Sequence, residues 1–173
     1  MKLYKGRIPA IAHAVITTFC DEGRIEVEPE NRPEAEKDLI AIMEEYRRRD
    51  AALRDAVKEY MGDHGVPYES YGKTRQQIAD EWGHPLPKHL DRYLARQFVE
   101  NFMISRFVNE VFGDDADLQK RAQIIIAQFD VDEDALRKEA EDRIKNVRRD
   151  SVEYELAIER SLKEVRKRHG LLE

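Results

Sequence analysis

Five histidines and a single cysteine are the residues of this 173-residue chain best suited by type to chemistry. His13 stands alone between Ala12 and Ala14. By type it could be a general base or a metal ligand, but its isolation reads as a packed or surface imidazole. Asp63 and His64 form an acid/base pair by composition only, because adjacent side chains point apart and no third group is in sight. His84 and His89 are separated by two prolines, which is not the one-turn helical spacing a metal site uses. Cys20 has no cation beside it in sequence to lower its pKa, so it reads as a half-buried thiol. A glycine-rich phosphate loop, a Gly-x-Ser-x-Gly elbow and a repeated His-carboxylate motif are all missing. The expectation is a protein without catalytic residues, cofactor or metal.

Binding is better represented. Arg47, Arg48 and Arg49 form one basic cluster, and Arg148 and Arg149 with Arg166, Lys167 and Arg168 form another. Either could contact RNA or DNA phosphates, with salt-dependent and sequence-blind affinity. Glu44, Glu45, Asp50, Asp150 and Glu164 lie among them, so the plainer reading is a solvated helix face. The run Thr74 to Gly83 has the small residue and glycine of a helix-turn-helix opening, but Pro85 and Pro87 stand where a recognition helix would begin. Tyr4, Tyr68, Tyr71 and Trp82 are candidate anchors for a protein partner, since aromatics dominate interface hot spots.

With 30 basic and 36 acidic residues the net charge is -6, so any attraction to nucleic acid or anionic lipid must be local. One cysteine excludes an intramolecular disulfide and suggests a reducing cytoplasm. The basic start, Met1 to Arg7, is followed by a stretch broken by Pro9, His13, Thr17 and Thr18, which reads as neither an export signal nor a membrane span.

The elements that must position these residues are helices. Charged residues make up 38% of the chain, above the average of about 25%, as amphipathic helices with solvated outer faces require. Ile8, Ile11, Ala12, Val15, Ile16 and Phe19 fall on one face of a first helix, with Pro9 in its first turn and Gly23 at its exit. Ile25 and Val27 alternate with Glu26 and Glu28 as in a short strand. Asn31 with Glu34 has capping-box spacing and starts a second helix, expected to be jointed at Arg47–Arg49. Residues 62–72 read as a loop, and a short helix from Thr74 closes at Gly83. Pro85 and Pro87 mark the boundary between units 1–86 and 87–173. Four helices follow: one over 88–112, central because its apolar residues spread around several faces, and three with the stripes Leu118 to Phe129, Leu136 to Val147 and Tyr154 to Val165. Asp130 with Glu133, and Asp150 with Glu153, have capping-box spacing.

The two units share a pattern. Ile42, Met43, Tyr46 and Ala52-Leu53-Arg54 recur about 83 residues later as Ile125, Ile126, Phe129 and Ala135-Leu136-Arg137, and Tyr71 recurs as Tyr154. Composition sets a period but not a register, so a constant interval points to tandem duplication. The interval is lost between Gly23 and Gly113, so the first helices of the two units are expected to correspond in pattern only.

The opening Met-Lys-Leu-Tyr-Lys-Gly-Arg-Ile-Pro, the link Glu22 to Val27 and the closing helix resemble an uncharacterised bacterial family defined only as a domain of unknown function. The resemblance covers nearly the whole chain. It implies a small cytoplasmic helical protein and members of about half this length that match residues 88–173, and it brings no activity or site residues.

The fold expected is all-α, two related helical halves closed as a pseudo-twofold bundle with at most one very short strand pair. The function expected is a non-catalytic adaptor or regulatory protein that binds another macromolecule through a helical groove, a protein first of all, with self-association open and no membrane contact. The alternative is an RNA-, DNA- or ribosome-associated factor using the basic clusters.

Overall fold

Helices dominate the computed structural model, which describes residues 1–144 and 152–171. Among them are seven α-helices and one pair of two-residue strands. The all-α expectation holds. Helix α1, Ile8–Asp21, buries the six residues of its stripe and carries Pro9 in its first turn. It stops at Gly23, whose φ of 65° suits a residue without a Cβ. Strand β1, Ile25–Glu26, pairs antiparallel with β2, Glu110–Val111, Ile25 opposite Val111. Amide bonds of 2.8 Å from Asn109 to Glu26 and from Phe112 to Arg24 extend the ladder on both sides.

Helix α2 runs from Arg32 to His64 without the expected joint. Its 33 residues make a rod of about 50 Å. Arg47–Arg49 and Ala51–Leu53 are good helix formers, and Arg47–Glu44 and Arg48–Glu45 pairs span single turns there. The matching stretch of the second half, Asp130-Val131-Asp132, consists of poor helix formers and does break. Two expected capping boxes are corrected. Asn31 makes no side-chain cap, because the chain enters α2 from a 3₁₀ turn over Pro29–Asn31. The break before α6, Glu133–Asp142, is capped by Asp132, whose side chain accepts from the Ala135 amide at 3.0 Å, while Asp130 accepts from Val131. The third box includes Asp150, outside the described residues.

Helix α3, Tyr71–Trp82, begins before Thr74, and Gly62 and Gly72 of the expected loop lie inside helices. Helix α4, Leu90–Ile104, ends well before Phe112. Ser105 is extended there, and its Oγ donates to Asp38 Oδ2 at 2.7 Å while accepting from the Phe107 amide at 3.2 Å. Val108, Val111 and Phe112, expected on a central helix, therefore lie in the link and strand. Helix α5, Asp115–Ala127, is capped by Asp114, which accepts from the Asp117 amide at 3.0 Å. Helix α7 spans Val152–Arg168.

One cluster of buried side chains unites α1, the first half of α2, α4 and α5. Phe19 and Phe102 meet inside it with ring centroids 5.5 Å apart. Leu53, Val57 and Met61 at the far end of α2 pack on Ile78 and Ala79 of α3. Leu136 and Ala140 of α6 pack on Val165, Leu171 and Tyr4. The residue interval seen between the later helices also relates α1 to α4. Ile11, Ala12, Val15, Ile16 and Phe19 match Leu94, Ala95, Phe98, Val99 and Phe102, all buried. The expectation that these helices agree in pattern only is thus corrected, since the same interval relates their buried positions. Gly83, after α3, and Gly170, after α7, are both left-handed. Among the described residues no helix is long and apolar enough to cross a membrane.

Candidate functional site

A buried polar cluster sits where α2, α3 and the start of α4 converge. Tyr46 and Asp50 occupy successive turns of α2, so their side chains share a face. Arg75 reaches in from α3 and donates to Asp50 Oδ1 at 2.7 Å. His84 arrives because the left-handed turn at Gly83 folds the chain back, its amide bonding to the Ala79 carbonyl at 2.8 Å. Its Nε2 lies 3.3 Å from Asp50 Oδ1, and its side chain is 1% exposed. The ring stacks on Tyr46 at 4.8 Å, and Tyr93 lies tilted against Tyr46 at 6.1 Å. Burial lowers the His84 pKa against the opposing pull of Asp50, so a neutral imidazole donates through Nε2. Burial, then Asp50, raises the Tyr46 phenol. His84 Nδ1 is buried with no hydrogen-bond partner among the described residues.

The cluster is the wall between two hollows. The first, of about 420 Å³, lies between residues 1–4, the middle turns of α2 and Pro87. Lys2, Arg47, Arg48 and Arg54 line it with Glu44 and Asp50, an excess of cations in an acidic chain. Arg47 pairs with Glu44 at 3.5 Å, Arg48 with Glu45 at 2.7 Å, and Arg54 with Asp50 at a loose 3.9 Å. Exposed pairs of this kind contribute about 0.2–1 kcal/mol, so a phosphate can compete for the arginines. The second hollow, of about 460 Å³, lies between the end of α3 and α4, lined by His84, His89, Arg92, Tyr93, Arg96 and Gln119 among others.

Several expected residues lie elsewhere or do other work. Arg49 donates to the Trp82 carbonyl at 3.0 Å, closing the end of α3. Arg166 pairs with Glu133 at 3.0 Å with its side chain 18% exposed, which ties α7 to the start of α6. Lys167 and Arg168 are exposed at the end of α7, and Arg148 and Arg149 lie outside the described residues. Tyr4 is no exposed anchor. It is 1% exposed, donates its hydroxyl to Glu133, and lies under Lys2 and Arg166, because the N-terminal segment packs into the α6–α7 cluster. Burial, then the Glu133 hydrogen bond, raises its phenol. Tyr68 is exposed and stacks on half-buried Tyr71, whereas Trp82 projects at the opposite end of α3, so these aromatics form no single patch.

The remaining histidines hold local structure. His13 faces Glu36 at 2.9 Å on the surface. His64 donates Nδ1 to the Tyr60 carbonyl at 2.9 Å and stacks on that ring, satisfying the last turn of α2. Burial raises the Cys20 thiol, which gives it no thiolate character. Asp50 entered the sequence reading only as an acid among the arginines and Arg75 only within the run Thr74 to Gly83, while Tyr93, Arg92 and Arg96 escaped it. The one-turn spacings Tyr46/Asp50 and Arg92/Arg96 were visible, but only the fold brings them to His84.

Over residues 1–171 the chain matches the profile of a family described as "Protein of unknown function (DUF507)". No curated protein matches.

Proposed function

From the premise that the chain belongs to the DUF507 family, we propose that it is a non-catalytic helical adaptor that docks a phosphate-bearing macromolecule, a nucleic acid, at the middle of α2. The observation that carries this reading is the convergence of Lys2, Arg47, Arg48 and Arg54 on one concave face of a chain with net charge -6. Such a face attracts phosphate over a short range while the acidic remainder of the surface repels non-specific polyanion binding. The partner's affinity then depends on salt and little on sequence. A catalytic role is disfavoured by the engagement of Asp50 with Arg75 and the burial of His84. Labelled single-stranded RNA titrated with the protein should bind at low salt and weaken strongly in an Arg48→Glu/Arg54→Glu variant; no binding at low salt would reject the reading.

A protein partner is the second reading. Met103 and Ile104 at the end of α4 and Phe112 next to β2 are exposed apolar side chains. A partner retained at high salt after nuclease treatment, and lost on Ile104→Glu, would favour it.

The same reading treats the halves as tandem copies about a pseudo-twofold axis. The antiparallel β1–β2 pair, the Phe19–Phe102 contact and the shared interval of buried positions support it. It also places the protein in a bacterial cytoplasm, in keeping with a lone cysteine.

A further inference from the structure

We propose that the second hollow is a binding site for a nucleoside phosphate, with Arg92 and Arg96 taking the phosphate and Tyr93 meeting the base. This rests on the nucleic-acid reading above and assigns it a second contact, on the other side of the Tyr46–Asp50–His84 wall.

Arg92 and Arg96 are one turn apart on α4, so their guanidinium groups serve the same face. Among the described residues Arg92 makes no ion pair or side-chain hydrogen bond. The partner of Arg96, Glu100, stands at 3.6 Å, too far for a good hydrogen bond. Two guanidinium forks with this freedom suit the oxygens of a phosphate ester. His89, on the preceding turn and also without a side-chain partner among the described residues, adds a third donor. Tyr93 is half-buried and backed by Tyr46, so its ring is held in place to receive a base. Asp80 and Gln119 complete the lining with a carboxylate and an amide, neither in a side-chain hydrogen bond among the described residues. Together they offer the donor and the acceptors that a base edge needs.

The size and balance of the hollow agree with this ligand. A volume of about 460 Å³ falls within the usual range for small-molecule sites and accommodates one nucleotide. Ala79, Pro85 and the Tyr93 ring give it an apolar part, which a bare phosphate would leave unused. Two arginines against Asp80 leave a positive excess matched to a phosphate ester.

The test is an amide NMR titration of the full chain with uridine 5′-monophosphate, adenosine 5′-monophosphate, inorganic phosphate and a six-nucleotide single-stranded RNA. Wild type, Arg92→Ala/Arg96→Ala and Arg48→Glu/Arg54→Glu are compared; all four positions are exposed or on solvated turns, so folding is retained. The expected result is that a mononucleotide shifts residues 79–96 and Gln119, binds about tenfold more tightly than inorganic phosphate, and is lost in the Arg92/Arg96 variant but not in the Arg48/Arg54 variant. Tighter RNA binding that also needs Arg92 and Arg96 identifies the ligand as part of a strand; mononucleotide binding without RNA binding identifies a free nucleotide and sinks the polymer reading while the site stands. RNA binding that depends on Arg48 and Arg54 alone, with no mononucleotide effect in the hollow, overturns this site and leaves the polymer reading intact. Equal affinity for inorganic phosphate, or nucleotide shifts that survive the Arg92/Arg96 variant, also overturns it.

Discussion

Burial against Tyr46 makes His84 harder to protonate than a free imidazole, although Asp50 is 3.3 Å away. The folded pKa lies below the ordinary value of 6.5, so the unfolded chain takes up the proton first. Stability contributed by the neutral ring is complete above about pH 6.5 and is lost as the pH falls below it towards the folded pKa. A His84→Gln variant should therefore show a smaller loss of melting temperature between pH 7 and 5 than wild type; parallel curves would contradict the neutral ring. Glu22 presents the carboxylate case. Hydrogen bonds from Arg121, then Arg24, hold it down to about 2 from the ordinary 4.5, and they tie the end of α1 to α5. Its contribution is present above about pH 4.5 and disappears as the pH falls towards 2. Because the pair is partly exposed, Glu22→Gln should cost less than about 1 kcal/mol at pH 7. The difference from wild type should vanish in acid, as denaturation at pH 2 to 7 would reveal.

At the scale of elements, the unbroken α2 joins the central core to the α3 unit. Besides its own turns, the Asp50–Arg75–His84 cluster, the Arg49 bond to the Trp82 carbonyl and the Gly83–His89 link bridge the two sets of buried residues. Ala52 is exposed in that span, and Ala52→Pro would remove a helical bond and distort the turn at a cost of about 3 kcal/mol or more. Amide exchange should then accelerate across Leu53–Met61 and α3 while α1 and α4 keep their protection. Uniform loss of protection would show that the two regions unfold as one. Much of this level was legible in the sequence. The stripes of α1 and α5, the strand at Ile25 and the closing glycines are local signals. The end of α4 was not, because Val108, Val111 and Phe112 prolong the apolar count while the stop is set by the Ser105 contact with Asp38 from distant α2. Continuity at Arg47–Arg49 was missed for a related reason: the second half breaks where Asp130-Val131-Asp132 disfavours helix, and the first half does not share those residues.

For the whole molecule, the shared core is the main source of stability. Phe102 is 2% exposed and packs on Phe19, so Phe102→Ala should destabilise by about 3–5 kcal/mol, measurable by urea denaturation. The candidate site was legible only as residue types. The Arg47–Arg49 run announced cations, but helical geometry turns its members to different tasks, and Tyr4 looked available until the α6–α7 cluster enclosed it. Asp50, Arg75 and His84 are far apart in sequence, so no local pattern could show that they form a wall between two basic hollows. On the reading proposed above, those hollows are where the phosphate binds. The most direct test is the salt dependence of single-stranded RNA binding, followed by fluorescence anisotropy in wild type and in Arg48→Glu/Arg54→Glu. Each phosphate contact adds about 0.7 to the magnitude of the slope of log affinity against log salt for single strands. The wild-type slope should be steeper than the variant's by about 1.4, the share of two lost contacts. Equal slopes, or an affinity indifferent to salt, would contradict the account.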